Sequence, residues 1–333
     1  MLGLIGEFTG LLLIIFFCSW ALSVAVEKLA ERWGANFAGS ILLGLVTVLP
    51  EYMFVFWAVQ KSEYALALGS VTGAAAMLVT LGYGLVILTS TSRFSRRPVK
   101  TIHLSSTTQI DAWYLFVTAI VAIVLGLIGN GLGLVDAVVL TAVYCAYAIH
   151  LYHDARKKSR QRRETNHKAP RVAAALAALV VCGVIILVVS EPFVDAMKEL
   201  AVRLAVPPLA VAVILSPMAS EMPEKLTAFL TVRRNGALAE ISICNFIGSK
   251  VNHNSLLLAM MPFVASLHGQ GGFFPHIVVP AFWMMTGLTL VAAASLGRGR
   301  LRYWQGWFFA SLFLLQIAVA MFFPQGPLAT PPQ

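Results

Sequence analysis

Charge is what this sequence has least of. Only 12% of its 333 residues are Asp, Glu, Lys or Arg, about half the share of a soluble domain. With 59% hydrophobic residues, a water-facing globule would lack the polar surface to cover itself, so the chain reads as a membrane protein. Cysteine is scarce too. Cys18, Cys145, Cys182 and Cys244 lie far apart in apolar runs, which excludes a zinc CxxC pattern and a disulfide framework and leaves them as packing residues. No polar stretch is long enough for a separate enzymatic or DNA-binding module. At about 20 apolar residues per span, the length holds roughly ten transmembrane helices and little else. The first apolar run lacks the basic start and small-residue cleavage site of a signal peptide, and is expected to be a retained helix.

Apolar stretches between polar or Gly/Pro breaks place spans at 8–27, 36–59, 64–90, 111–128, 134–152, 171–190, 205–231, 237–262, 275–296 and 303–323. The net charge of +9 is distributed by topology. The segment from His153 to Arg171 holds Arg156, Lys157, Lys158, Arg160, Arg162, Arg163, Lys168 and Arg171. If it is cytoplasmic, alternation puts on the same side the loops with Lys28 and Arg32, with Arg93, Arg96, Arg97 and Lys100, with Arg233 and Arg234, and with Arg298, Arg300 and Arg302. That side then carries 19 of the 24 basic residues, and the other keeps Lys61, Lys198 and Arg203. This bias sets both termini outside. No nucleic-acid partner is expected.

Ionisable residues inside spans are costly and are functional candidates by default. Leu49-Pro50-Glu51 stands in the second span and Met222-Pro223-Glu224 in the seventh. Each Pro-Glu pair is followed by a polar hairpin and another apolar run, with Ala67-Leu68-Gly69-Ser70-Val71-Thr72-Gly73 after the first and Ile243-Cys244-Asn245-Phe246-Ile247-Gly248-Ser249 after the second. The chain therefore divides into two five-helix halves, 1–152 and 171–333, around a basic linker at 153–170. An odd number of crossings inserts the second half upside down relative to the first. Such inverted repeats place substrate at the midplane, where broken helices meet. Pro50 and Pro223 each remove a backbone donor and free a carbonyl one turn earlier. Gly69, Gly73 and Gly248 permit close helix approach.

At these residues the sequence resembles the Ca2+/cation antiporter superfamily of the sodium/calcium exchanger type, whose two repeats read approximately G-T-S-L-P-E and then G-N-x-x-G-S-N. The resemblance covers nearly the whole chain and implies an all-α membrane fold of ten helices in two inverted repeats. It makes Glu51 and Glu224 the metal ligands, as hard cations such as Ca2+ and Na+ take carboxylate, carbonyl and hydroxyl oxygens. Thr47 matches the motif threonine of the first repeat, Ser220 stands for it in the second, and Asn245, Gly248 and Ser249 match the second repeat. The sequence departs from the pattern at Val48, Ser70, Ala74 and Ala75, which thins the first half's oxygen shell. In the second half Glu221 replaces the motif serine and Lys250 the motif asparagine. An internal Glu221–Lys250 ion pair is expected, leaving a net of about minus two from Glu51, Glu221, Glu224 and Lys250, with pairing offsetting the several kcal/mol of burying each charge. The Lys250 ammonium then either stands in for a coupling cation, which would make the exchange proton-coupled, or only neutralises Glu221. His253 falls where the family often has another acidic or amide ligand, and structural and titrating roles are both open. Lys225 is expected to face elsewhere or to snorkel.

Asp111, Asp136 and Glu240 fall at helix beginnings and are expected to cap them or to meet the helix dipole. Trp33, Tyr64, Trp113, Tyr303 and Trp304 suit an interfacial aromatic belt. The leading function is a secondary antiporter of Ca2+ against Na+ or H+ in the plasma (inner) membrane. It is expected to be a monomeric unit among lipid, with no cofactor and no enzymatic step. Alternatives are a monovalent cation/proton antiporter and a transport-inactive scaffold of the same fold. An intramembrane hydrolase built on Glu221, Glu224 and His253 is disfavoured, because H-E-x-x-H and G-x-S-x-G are both missing.

Overall fold

The computed structural model describes residues 2–33, 43–129, 131–161, 172–267, 269, 274–323 and 325–326. Most of the basic linker, with the side chains of 154–161, lies outside the described residues, as do the side chains of Lys28, Arg32 and Trp33. The helices are α1 (Leu2–Trp33), α2 (Leu43–Val46), α3 (Leu49–Gln60), α4 (Tyr64–Met77), α5 (Tyr83–Ser90), α6 (Ser106–Gly129), α7 (Leu134–Gln161), α8 (Val172–Leu204), α9 (Pro208–Ser220), α10 (Met222–Arg234), α11 (Ala239–Asn252), α12 (Leu258–Leu267), α13 (Pro280–Gly297) and α14 (Tyr303–Phe322).

Seven helical stretches are long and apolar enough to cross a membrane: Leu2–Val26, Tyr64–Ser90, Ser106–Gly129, Leu134–His153, Ala173–Leu204, Pro280–Gly297 and Tyr303–Phe322. The three expected spans missing from this set are those carrying Glu51, the Glu221-to-Lys225 run, and Lys250 with His253. Interruption and charge make them poor membrane helices on their own, and the surrounding helices shield them. Apolar side chains such as Ile128, Val135, Val180 and Leu314 point outward, so the surface is as greasy as the sequence composition requires. The protein is embedded in a membrane. Cys145 faces outward on α7 and does not pack inside, whereas Cys18 and Cys182 share an apolar cluster between α1 and α8.

Two breaks and two bulges shape the centre. Between α2 and α3 the helix is interrupted at Thr47 and Val48, with Pro50 in the first turn of α3; between α9 and α10 it is interrupted at Glu221, with Pro223 in the first turn of α10. Proline tolerates a first turn, where its missing N–H would have no partner. One π-helical turn, Leu78–Gly82, joins α4 to α5, and another, His253–Leu257, joins α11 to α12. Around both, side chains bond carbonyls four residues back: Thr80 to Ala76, His253 to Ser249 and Ser255 to Val251. Such back-bonding competes with the helix ladder.

Helix α4 is buried from Leu66 to Met77 and crosses α9 at contact distance. A Cβ on Gly69 would run into the Leu209 backbone, and one on Gly73 into that of Val213. The Val213 carbonyl is also the one that Pro217, four residues on, cannot reach with a donor. Ser70 and Ser216 share a hydrogen bond of 2.6 Å across the same crossing.

The loops pair in a consistent way. Strand β1 (Ile102–His103) pairs with β4 (Arg300–Leu301), and β2 (Gly131–Leu132) with β3 (Phe274–Pro275), both antiparallel. Arg96 N–H donates to the Arg233 carbonyl at 2.8 Å, and Gly236 N–H to that of Arg97 at 3.0 Å. Lys61 bridges Glu191 and Asp195 on α8, and Lys198 binds Glu63. Tyr64 joins this end, packed edge-on against Phe274, while Trp113 and Trp304 are exposed as a belt requires.

Of the expected caps, Asp136 takes the Gly133 N–H at 2.7 Å in the first turn of α7. Glu240 caps a neighbour: it accepts from the Ser105 N–H and the Thr108 hydroxyl at the start of α6, each at 2.6 Å. Asp111 departs from the expectation. Helix α6 begins at Ser106, which leaves Asp111 buried more than a turn inside.

Candidate cation site

The two broken helices and α11 bring the polar residues together. Glu51 sits in the first turn of α3, Glu221 at the α9–α10 break, and His253 where α11 passes into its π turn. A ligand atom from each of the three lies within 4.8 Å of the others. All are sealed, at 0%, 2% and 0% exposure respectively. Neither Glu51 oxygen has a hydrogen-bond partner, and neither does His253 Nε2, which lies 3.4 Å from Glu221 Oε1. The Ser220 hydroxyl is a neighbour of the Glu51 carboxylate and donates to the Ser216 carbonyl at 3.0 Å.

Glu221 differs from the expectation in its partner. Its Oε2 receives the Lys225 ammonium at 2.7 Å, and Lys225 also reaches the Glu221 carbonyl and lies 5.7 Å from the Phe246 ring centre. Four residues on one helix put the two side chains on one face, whereas Lys250 belongs to α11. Lys250 Nζ instead donates to Asn254 Oδ1 at 2.7 Å and contacts Met285 Sδ at 3.0 Å, and no Glu221–Lys250 ion pair forms. Lys225 is thus neither turned away nor snorkelling. Its i, i+4 spacing from Glu221 was the available signal, masked by the assumption that a charge beside Glu224 must point outward.

Glu224, expected beside Glu51, has Glu221 as a charged neighbour. Glu224 is outside the three-residue group, and the Ser249 hydroxyl approaches its oxygens at 3.4 and 3.5 Å. Counted with every group ionised, three carboxylates against two buried ammoniums give a formal charge of minus one where minus two was expected. Thr47 is buried at the α2–α3 break. Asn245 is half-buried on α11. Tyr52, which the sequence did not single out, donates its hydroxyl to Asn252 and ties α3 to α11.

The arrangement is a sealed cluster in which two carboxylates and an imidazole, from different helices, face one another. Buried polar groups normally find partners, which sets the unpartnered atoms of Glu51 and His253 apart from the rest of the core. Comparison with known proteins agrees with a transport fold. The chain is 26% identical, over 93% of its length and 95% of the relative's, to an uncharacterized membrane protein, MJ0091, of Methanocaldococcus jannaschii. Its fold is similar to that of a solved H+/Ca2+ exchanger, CAX, with a TM-score of 0.80 and 22% identity over 98% of this chain and 83% of that one. It is also similar to the sodium-calcium exchanger NCX_Mj, with a TM-score of 0.66 and 21% identity over 95% of this chain and 98% of that one. A model of the sodium/calcium exchanger protein family matches residues 3–153 and 174–322, and with both halves so covered, the chain belongs to that family.

Proposed function

We propose that this protein is a secondary cation antiporter working by alternating access, with Ca2+ as the first cargo to test and Na+ or H+ as its counter-ion. The observation that carries the reading is Glu51: a fully buried carboxylate with both oxygens unpartnered, facing Glu221 and His253. Burying such a charge costs several kcal/mol unless a proton or another cation comes to it. A transported cation is a partner that can come and go. The chemistry is coordination and desolvation, with no covalent step.

The proposal includes ten crossings as two inverted halves, 1–152 and 171–333, with the basic 153–170 segment cytoplasmic, both termini outside and one chain as the transport unit in the plasma membrane. The loop pairings support this. Numbered through ten crossings, β1 with β4, Arg96 with Arg233, β2 with β3, and Lys61 with Glu191 on α8 each join two segments that the scheme puts on one side. The matched breaks before Glu51 and Glu224, and the matched π turns after them, support a repeat.

The charge balance favours one further reading, a monovalent cation/proton antiporter in which a buried lysine stands where a coupling cation would sit. With a net of minus one, a single monovalent ion restores neutrality, while a dication leaves the pocket as far above neutral as it began below. Flux of Ca2+, Na+, K+ and Mn2+ into proteoliposomes, with and without a proton gradient, separates the readings. Cation flux lost in Glu51→Gln supports antiport, and no flux of any cation overturns it.

A further inference from the structure

Calcium prefers six to eight oxygen ligands in a flexible shell. This pocket offers few. In the first half, Ala74 and Ala75 occupy the positions where the family pattern has Ser and Asn, and both are fully buried. What the pocket has instead is an imidazole. His253 Nδ1 is 2.6 Å from the Ser249 carbonyl, which can only accept, so Nδ1 carries the hydrogen. In the neutral ring Nε2 therefore presents its lone pair, and it points into the group formed with Glu51 and Glu221.

We propose that the Glu51–Glu221–His253 group is a site for a borderline divalent metal of the Co2+ or Zn2+ class, with His253 Nε2 as the ligand that favours such a metal over Ca2+. Imidazole nitrogen suits Zn2+ and the late first-row transition metals, while all-oxygen shells suit Ca2+, Mg2+ and Mn2+. The spacing fits. Two ligands each about 2.1 Å from a metal at a near-tetrahedral angle stand about 3.4 Å apart, which is the distance between His253 Nε2 and Glu221 Oε1.

The ligands are also held from behind, as metal ligands commonly are. Lys225 fixes one oxygen of Glu221 at 2.7 Å and leaves the other facing His253, while the Ser249 carbonyl fixes the ring. An alternative, a protonated His253 paired with Glu221, would leave both Glu51 oxygens without a partner. A metal ion satisfies all three groups together.

This inference rests on the antiporter reading for what the ion is used for, but not for whether it binds, so binding and flux are measured separately. Purified full-length protein in detergent is titrated with Co2+ and followed by its visible d–d absorption, then challenged with Zn2+ and with Ca2+. One Co2+ per chain is expected, displaced by Zn2+ and not by a tenfold higher concentration of Ca2+, on the order of affinities for nitrogen-containing sites. His253→Asp, which exchanges nitrogen for carboxylate oxygen, is expected to weaken Co2+ by about tenfold or more and to improve Ca2+ competition. Absence of Co2+ absorption, or Co2+ binding unchanged in His253→Asp, overturns the proposal. If that variant fails to give a monodisperse preparation, Glu51→Gln is used, with loss of Co2+ binding expected and retention overturning. Ca2+ flux in proteoliposomes without any Co2+ binding would sink this inference and leave antiport standing. Co2+ binding lost in His253→Asp, with no cation flux, would uphold the inference and remove antiport.

Discussion

Lys225 Nζ lies 2.7 Å from Glu221 Oε2, with the two side chains 1% and 2% exposed. Removing one member of a sealed ion pair leaves the other uncompensated, at a cost of about 3–5 kcal/mol. Lys225→Met is therefore expected to lower the thermal unfolding midpoint in detergent sharply. Adding Glu221→Gln should recover a large part of the loss, because the stranded charge goes with it. Additive losses in the double variant would mean that the two residues do not act as a pair.

Lys250 should behave in the opposite way. Its ammonium has a carboxamide oxygen and a thioether for partners, so its desolvation is poorly offset. Lys250→Met forfeits one hydrogen bond, worth about 1–3 kcal/mol when an acceptor is stranded, and removes a buried charge that costs several. The same melting assay is expected to show a neutral or stabilising change. A loss as large as that of Lys225→Met would show that Lys250 is held by a carboxylate after all. The flux assay then adds a functional reading: monovalent transport abolished by Lys250→Met, with folding intact, would favour the monovalent antiporter.

The contrast between these two lysines shows how far the sequence was legible. The Pro-Glu pairs, the glycines after them and the basic loops are local features with local physical causes, and they lead to the membrane fold and to Glu51 and Glu224, while Glu221 and His253 stand out only against the family pattern. What the sequence did not settle was which charges meet. The choice between Lys225 and Lys250 as partner for Glu221 depends on how α11 is rotated against the α9–α10 break, which tertiary packing decides. The same holds for Glu224, which the family pattern pairs with Glu51, although Glu221 is the glutamate grouped with Glu51 here. Likewise Asp111 was misplaced because the apolar run begins at its position while the helix begins at Ser106.

The α4–α9 crossing predicts a steric test. At Gly73 an added Cβ meets the Val213 backbone, which cannot swing aside as a side chain end could. Overpacking in a tight core costs about 1–3 kcal/mol, and at a backbone contact the helices must separate. Gly73→Ala is expected to destabilise by at least this range and to reduce flux. Gly10→Ala on α1, where an added Cβ meets nothing within 4 Å, should melt like the wild type. Equal behaviour of the two would refute the close crossing.

Ligand-induced stabilisation separates Glu51 from Glu224. A cation that binds only the folded protein raises stability by about 2.7 kcal/mol at a hundredfold excess over its dissociation constant. Glu51→Gln removes a carboxylate with no partner, so the ion-free protein should lose no stability while the increment on adding the bound metal disappears. Glu224 is outside the three-residue group, with only a distant serine hydroxyl as its bonded neighbour. Glu224→Gln should therefore keep most of that increment. Melting curves of both variants across a metal titration check the assignment, and if Glu224→Gln erased the increment while Glu51→Gln preserved it, the cation would have to sit one helical turn further along α10.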